Sequence, residues 1–204
     1  MSEELLIRHC SPTLAGLKTA NLFNCGYKTE EELKEYLHLI NIKLSDKGVR
    51  VMPLKYSDNK ALIYLFRPEK LEEDLADEDA LKLLKDAGYE AECCPRCNGQ
   101  NALCAGKYCT GLGKCLAHLM DRLRTSESFP HEIGLFLGYP PEDVKGFLDK
   151  DHRKCKCVGA WKVYGDEEKA KRKFAQYKKC NSVYSRLYAE GRPVEKLTVS
   201  VKHH

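Results

Sequence analysis

Val49-Arg50-Val51-Met52-Pro53-Leu54-Lys55-Tyr56-Ser57-Asp58-Asn59-Lys60-Ala61-Leu62-Ile63-Tyr64-Leu65-Phe66 is the stretch on which the fold turns. Its first eight residues are rich in strand formers, Ser57 to Lys60 is turn chemistry, and Ala61 to Phe66 is a continuous apolar run. Strand, turn and strand in that order predict a β-hairpin with a buried second strand. An apolar run of this length falls far short of the roughly 20 residues that span a bilayer, so it belongs to a folded core. A buried strand needs cover, which directs attention to the helical patterns on either side.

Upstream, Thr29 followed three residues later by Glu32 forms a capping box, and Leu33, Tyr36, Leu37, Ile40 and Leu44 recur at helical spacing up to Gly48. Ser2 to Cys10 reads as a short helix stopped by Pro12, and Thr13 to Phe23 as a strand. Downstream, Pro68 to Ala87 carries leucines that fit one helix or two, with Asp77 as a cap and Gly88 as a stop. Cys93 to Gly113 has no apolar period and is read as a Cys-rich loop insertion. Leu116, Leu119, Met120 and Leu123 resume a helical face, Ile133 to Leu137 is expected as a short strand, and Pro140-Pro141 opens a helix to about Leu148. Val158 to Tyr164 is expected as a core strand, and Asp166 caps a long last helix with Phe174, Tyr177, Cys180 and Tyr184 on its apolar stripe. This order predicts a single α+β domain over residues 1–204, a mostly antiparallel sheet covered by helices on one face, with the loop 93–113 inserted in it.

With 204 residues, 43% of them hydrophobic, the chain can bury a core without cysteine staples. The first thirty residues lack a charged-then-apolar leader, so a cytoplasmic location and no membrane partner are expected. In such a reducing compartment the eleven cysteines are expected as free, metal-binding or redox thiols. Net charge is +4 with the signs interspersed, which argues against an extended nucleic-acid surface. The basic run Lys169 to Lys179 is read as a solvated helix face.

Three groups could carry chemistry. Cys94-Pro95-Arg96-Cys97-Asn98-Gly99 has the form of a zinc knuckle, two sulfurs aimed at one ion around a tight turn. Cys104 and Cys109 are the nearest pair to complete four-coordination, with Cys93, Cys115 and His118 as alternative ligands. Zinc is the expected metal and an iron–sulfur cluster the alternative, because the closely repeated ferredoxin spacing is absent. A structural zinc would contribute about 10 kcal/mol or more to ordering such a loop. The second group is Cys155-Lys156-Cys157, whose basic neighbours favour thiolate, with Cys10 and Cys180 as distant partners in a redox or second metal group. The third is His131-Glu132, a candidate acid and base, although a polar pair at a strand entry is most often turn chemistry. Walker, GxGxxG, HExxH and GxSxG motifs are absent, which removes the standard nucleotide and hydrolase readings.

His9 to Lys18 (HCSPTLAGLK), Phe129 to Phe147 (FPHEIGLFLGYPPEDVKGF) and Trp161 to Gly165 (WKVYG) resemble an uncharacterised bacterial family, domain of unknown function 3793, found largely in clostridia. The resemblance runs nearly the full length and implies a cytosolic protein of an anaerobe; the family supplies no established activity. It implies counterparts of Cys10, Cys157 and Cys180 as shared features and the loop 93–113 as an elaboration. A shared function is then expected near His9, Cys10, Lys18, His131, Glu132 and Cys155 to Trp161. Three functions follow as expectations: a metal-binding, thiol or redox protein; a non-catalytic zinc-stabilised module binding protein or nucleic acid; and a small-molecule enzyme using His131 and Glu132.

Overall fold

The computed structural model describes residues 2–90, 110–126, 128–149 and 154–200. In chain order the elements are α1 (Glu3–Leu14), β1 (Ala20–Gly26), α2 (Glu30–Leu44), a 3-10 turn (Ser45–Lys47), β2 (Arg50–Ser57), β3 (Lys60–Phe66) and α3 (Pro68–Leu75). They continue with α4 (Glu78–Asp86), α5 (Thr110–Thr125), α6 (Ile133–Phe136), α7 (Pro141–Leu148), β4 (Cys157–Val158), β5 (Lys162–Val163), α8 (Glu167–Ala189) and α9 (Val194–Leu197). Two compact units result, one within Met1–Glu69 and Asp166–His204, the other within Lys70–Gly165.

The first unit is an antiparallel sheet in the order β1-β3-β2, so the apolar run Ala61 to Phe66 occupies the centre as its composition requires. Phe23 lies opposite Ile63 and Cys25 opposite Ala61, which sets their side chains on one face. That face packs with Leu6, Cys10 and Leu14 of α1, Leu33, Leu37, Ile40 and Leu44 of α2, and Val194 and Leu197 of α9 in a single core. Each fully buried leucine or isoleucine in it contributes about 2 kcal/mol. Pro53 is tolerated because β2 is an edge strand, and Leu54 forms a bulge between the pairings of Pro53 and Lys55. Asn59 takes a left-handed conformation, φ +56°, in the turn between Ser57 and Lys60. The Thr29 hydroxyl accepts the Glu32 N–H and the Asp166 carboxylate accepts the Lys169 N–H, as the capping signals of α2 and α8 predict.

Pro12 does not stop α1. A proline in the last turn removes one hydrogen bond, and the chain end is closed by other means. The Pro12 carbonyl accepts from Leu17 and Lys18 N–H, and the Arg67 guanidinium donates to the carbonyls of Thr13 (2.7 Å), Leu14 (2.8 Å), Lys47 (3.1 Å) and Val199 (2.7 Å). The strand expected over Thr13 to Phe23 accordingly starts later, at Ala20.

In the second unit the Asp77 carboxylate caps α4 through the N–H groups of Asp79 and Ala80, which divides Pro68 to Ala87 into two helices. Helix α5 begins at Thr110 rather than Leu116, carrying Gly113 on an open face. Ile133 to Phe136 is one helical turn and not a strand: Pro130, His131 and Glu132 carbonyls accept consecutively from Ile133, Gly134 and Leu135. So short an apolar run has no period to separate the two states. The expected strand Val158 to Tyr164 is instead a hairpin, Cys157 opposite Val163 and Val158 opposite Lys162, because Gly159 turns the chain by donating to the Trp161 carbonyl. Among the described residues no helix is long and apolar enough to cross a membrane.

Candidate functional site

Asp143, in the first turn of α7, has an acidic position ordinary for a helix start, yet only 3% of it is exposed. Its Oδ2 accepts from Trp161 Nε1 at 2.7 Å, and its Oδ1 accepts from the backbone N–H groups of Tyr164 and Gly165, both at 2.7 Å. The carboxylate thereby ties the β4–β5 hairpin to α7. Trp161 stacks on Tyr139 with ring centroids 4.8 Å apart, and the Tyr139 hydroxyl donates to the Ala160 carbonyl. Burial pushes the Tyr139 phenol up to about 12, so it stays a neutral donor. Two glycines make the approach of α6 and α7 to these rings feasible. A methyl at Gly134 would lie 2.9 Å from Val144 Cγ2, and one at Gly146 would lie 2.4 Å from Tyr164 Cγ.

These contacts leave a cleft of about 170 Å³ with almost wholly apolar walls from Ile133, Tyr139, Val144, Phe147 and Trp161. His131, Lys162 and Asp143 are its ionisable lining residues. The His131 ring meets Phe147 edge-on at 4.9 Å, and Lys162 Nζ sits 5.3 Å from the centroid of the same ring.

Glu132 turns into the protein. It is 2% exposed, and its Oε1 accepts from the Tyr89 hydroxyl at 3.1 Å. Arg122 Nε stands 2.7 Å from the same oxygen as an ion pair without an aligned hydrogen bond, while Arg122 Nη1 donates to the Ala87 carbonyl. Burial first, and the Glu132 charge second, hold the Tyr89 phenol well above its ordinary range. His131 thus lines the cleft while its neighbour anchors the turn that carries it.

The thiols are distributed differently. Cys10 is fully buried in α1 and burial raises its thiol far above the ordinary range, while Cys180 on α8 is pushed up to about 11 for the same reason. Both belong to the first unit, whereas Cys155 and Cys157, named with them as a possible redox or second metal group, belong to the second. Lys18, 6% exposed, is lowered to about 8 by burial, with Cys10 as the opposing charge. His9 stacks flat on Phe23 at 5.1 Å. Cys155 and Cys157 are half-buried in the second unit, and Cys155 Sγ donates to the Cys157 carbonyl. Cys93, Cys94, Cys97, Cys104 and Cys109 lie outside the described residues. Cys115 is buried on α5, one turn before His118, whose ring lies 4.3 Å from that of Tyr89. Among the described residues no group of three or more histidine, cysteine, aspartate or glutamate side chains is arranged to hold a metal ion. On α8, Lys169, Lys171, Arg172, Lys178 and Lys179 are exposed, and Lys171 pairs with Glu167 and Glu168.

Asp143 and Tyr139 are the site residues that sequence reasoning misses. Their partners, Trp161 and Ala160, are about twenty residues away, and the signal present was the pair of motifs holding both sides. A family model described as "Protein of unknown function (DUF3793)" matches residues 6–198. No curated protein and no solved structure matches the chain.

Proposed function

We propose that this chain, which belongs to the family of domain of unknown function 3793, binds a small, largely apolar molecule in the cleft between α6, α7 and the β4–β5 hairpin. The observation that carries the reading is the cleft itself: aromatic walls fixed on a buried carboxylate, with two basic side chains in the lining. A cavity of about 150 Å³ holds one benzene ring, so 170 Å³ suits a molecule of one ring. Should the bound molecule react, His131 is the cleft's proton-transfer group and Glu132 its positioning residue. The location proposed is the cytosol, in keeping with six described cysteines of which none is in a disulfide.

Trp161 is the sole tryptophan, so its fluorescence reports this cleft alone. Titration with one-ring compounds should give a saturable emission change, and Val144→Phe, which fills the cleft, should abolish it with circular dichroism unchanged. A folded protein showing no saturable change with any of them would remove the reading.

A metal-binding reading stands second, supported by one observation. His118 Nε2 is buried without a hydrogen-bond partner among the described residues, one helical turn from buried Cys115. Thiolate and imidazole at that spacing suit zinc, with the further ligands expected from Cys94, Cys97, Cys104 and Cys109. Tag-free protein purified without oxygen should then hold about one zinc per chain, lost in Cys115→Ser or His118→Ala. Iron with sulfide would replace zinc by a cluster, and no metal would end this reading.

A further inference from the structure

We infer that the ligand of this cleft is an anion, a one-ring carboxylic acid with its carboxylate on the Lys162 ammonium. The inference rests on the cleft reading proposed above and adds the charge of the molecule. It comes from how two charged lining residues, Asp143 and Lys162, are occupied. Asp143 is spent: both oxygens are engaged by three N–H donors, and the side chain is buried behind Trp161. Its acceptor sites are taken, so it has no free oxygen with which to pair directly with a cationic ligand. Lys162 is in the opposite condition. It is half-buried, its ammonium rests over the Phe147 face, and it has no carboxylate partner among the described residues. An ammonium held over an aromatic wall keeps most of its hydrogen-bonding capacity, three donors, for something that enters the cleft.

The walls argue in the same direction. An aromatic cage for a cation needs several ring faces turned inward. Here Trp161 and Tyr139 are stacked on each other at 28° between planes, and the Phe147 face is taken by Lys162. What remains is apolar surface from Ile133, Val144 and the outer parts of these rings, suited to a flat hydrocarbon body. A body of that kind with one acidic group satisfies both halves of the cleft. A neutral ring leaves Lys162 unused, and a basic one sets two cations together.

The test compares benzoate, benzamide and benzylamine, near-equal in shape and different in charge, by Trp161 fluorescence in low-salt buffer at pH 7. A charge-assisted hydrogen bond at a partly exposed site is worth about tenfold in affinity. Benzoate is expected to bind about tenfold more tightly than benzamide, with benzylamine weakest. Lys162→Met, which keeps the aliphatic stem, should bring benzoate to the level of benzamide, and Lys162→Arg should preserve the preference. Equal affinity for benzoate and benzamide, tightest binding of benzylamine, or an undiminished preference in Lys162→Met would overturn the assignment of charge while leaving the cleft as a ligand site. Failure of all three compounds to perturb Trp161 would remove the cleft reading together with this inference.

Discussion

The two units bury charges of opposite sign. Among the described residues, the buried ionic side chains of the unit that holds the three-stranded sheet are Lys18 and Arg67, and those of the unit within Lys70–Gly165 are Glu132 and Asp143. The difference follows from the backbone each must serve. A helix ending against a sheet leaves unpaired carbonyls, and Arg67 satisfies those of Thr13 and Leu14 with a fan of N–H donors. A hairpin of two-residue strands leaves unpaired N–H groups, and Asp143 collects those of Tyr164 and Gly165 together with the Trp161 indole. Regular structure therefore ends on a buried cation and irregular structure on a buried anion. In the second case the buried charge also holds the walls of a cleft.

The largest effect expected from breaking this contrast is at Arg67. Arg67→Ala strands four carbonyls and should cost about 4 kcal/mol in urea unfolding. Arg67→Lys keeps the charge but cannot reach four acceptors, so it should recover less than half; full recovery would mean that charge rather than geometry matters there. Asp143→Ala leaves three N–H groups without an acceptor and should cost about 3 kcal/mol. It should also blunt every ligand response of Trp161, which Arg67→Ala in a still-folded background should not.

Gly146→Ala tests the packing between α7 and the hairpin. The added methyl meets the Tyr164 ring at 2.4 Å, and about 2 kcal/mol of destabilisation is expected from overpacking. The smallest effect concerns Lys18. Its folded pKa of about 8 lies below the ordinary value of 10.5, so between these values the unfolded chain binds more protons and stability rises with pH. From about pH 9 the buried Cys10 thiol, held above its ordinary value, acts in the opposite direction. The clean window is therefore pH 8 to 9, where the parent should gain about 1 kcal/mol relative to Lys18→Met. A constant difference across that window would show that Lys18 stays charged when folded.

What was legible in the chain was local and periodic. The Thr29 and Asp166 caps, the leucine stripe of α2 and the hairpin from Val49 to Phe66 depend on neighbours within a few residues, and each forms as its pattern implies. Helix α1 passes Pro12 because its carbonyls are closed by Arg67, more than fifty residues downstream, and no local pattern announces that. The Glu-Asp pair after Pro140-Pro141 looks like ordinary helix-start acidity, and only the distant Trp161 reveals Asp143 as a tether. His131 stands out in the sequence by its chemistry alone, whereas the inward turn of Glu132 depends on Tyr89 and Arg122 from other elements.

The most direct test of the cleft as the functional site is a ¹H–¹⁵N correlation spectrum of uniformly labelled protein during benzoate addition. The Trp161 Nε1–H gives a single indole signal from the hydrogen bond to Asp143, at the wall of the cleft. The indole signal and the amides of Gly134, Val144 and Lys162 should shift together along one saturable curve, while those of α2 stay fixed. A still indole signal, or shifts concentrated in α2 and the three-stranded sheet, would contradict the account.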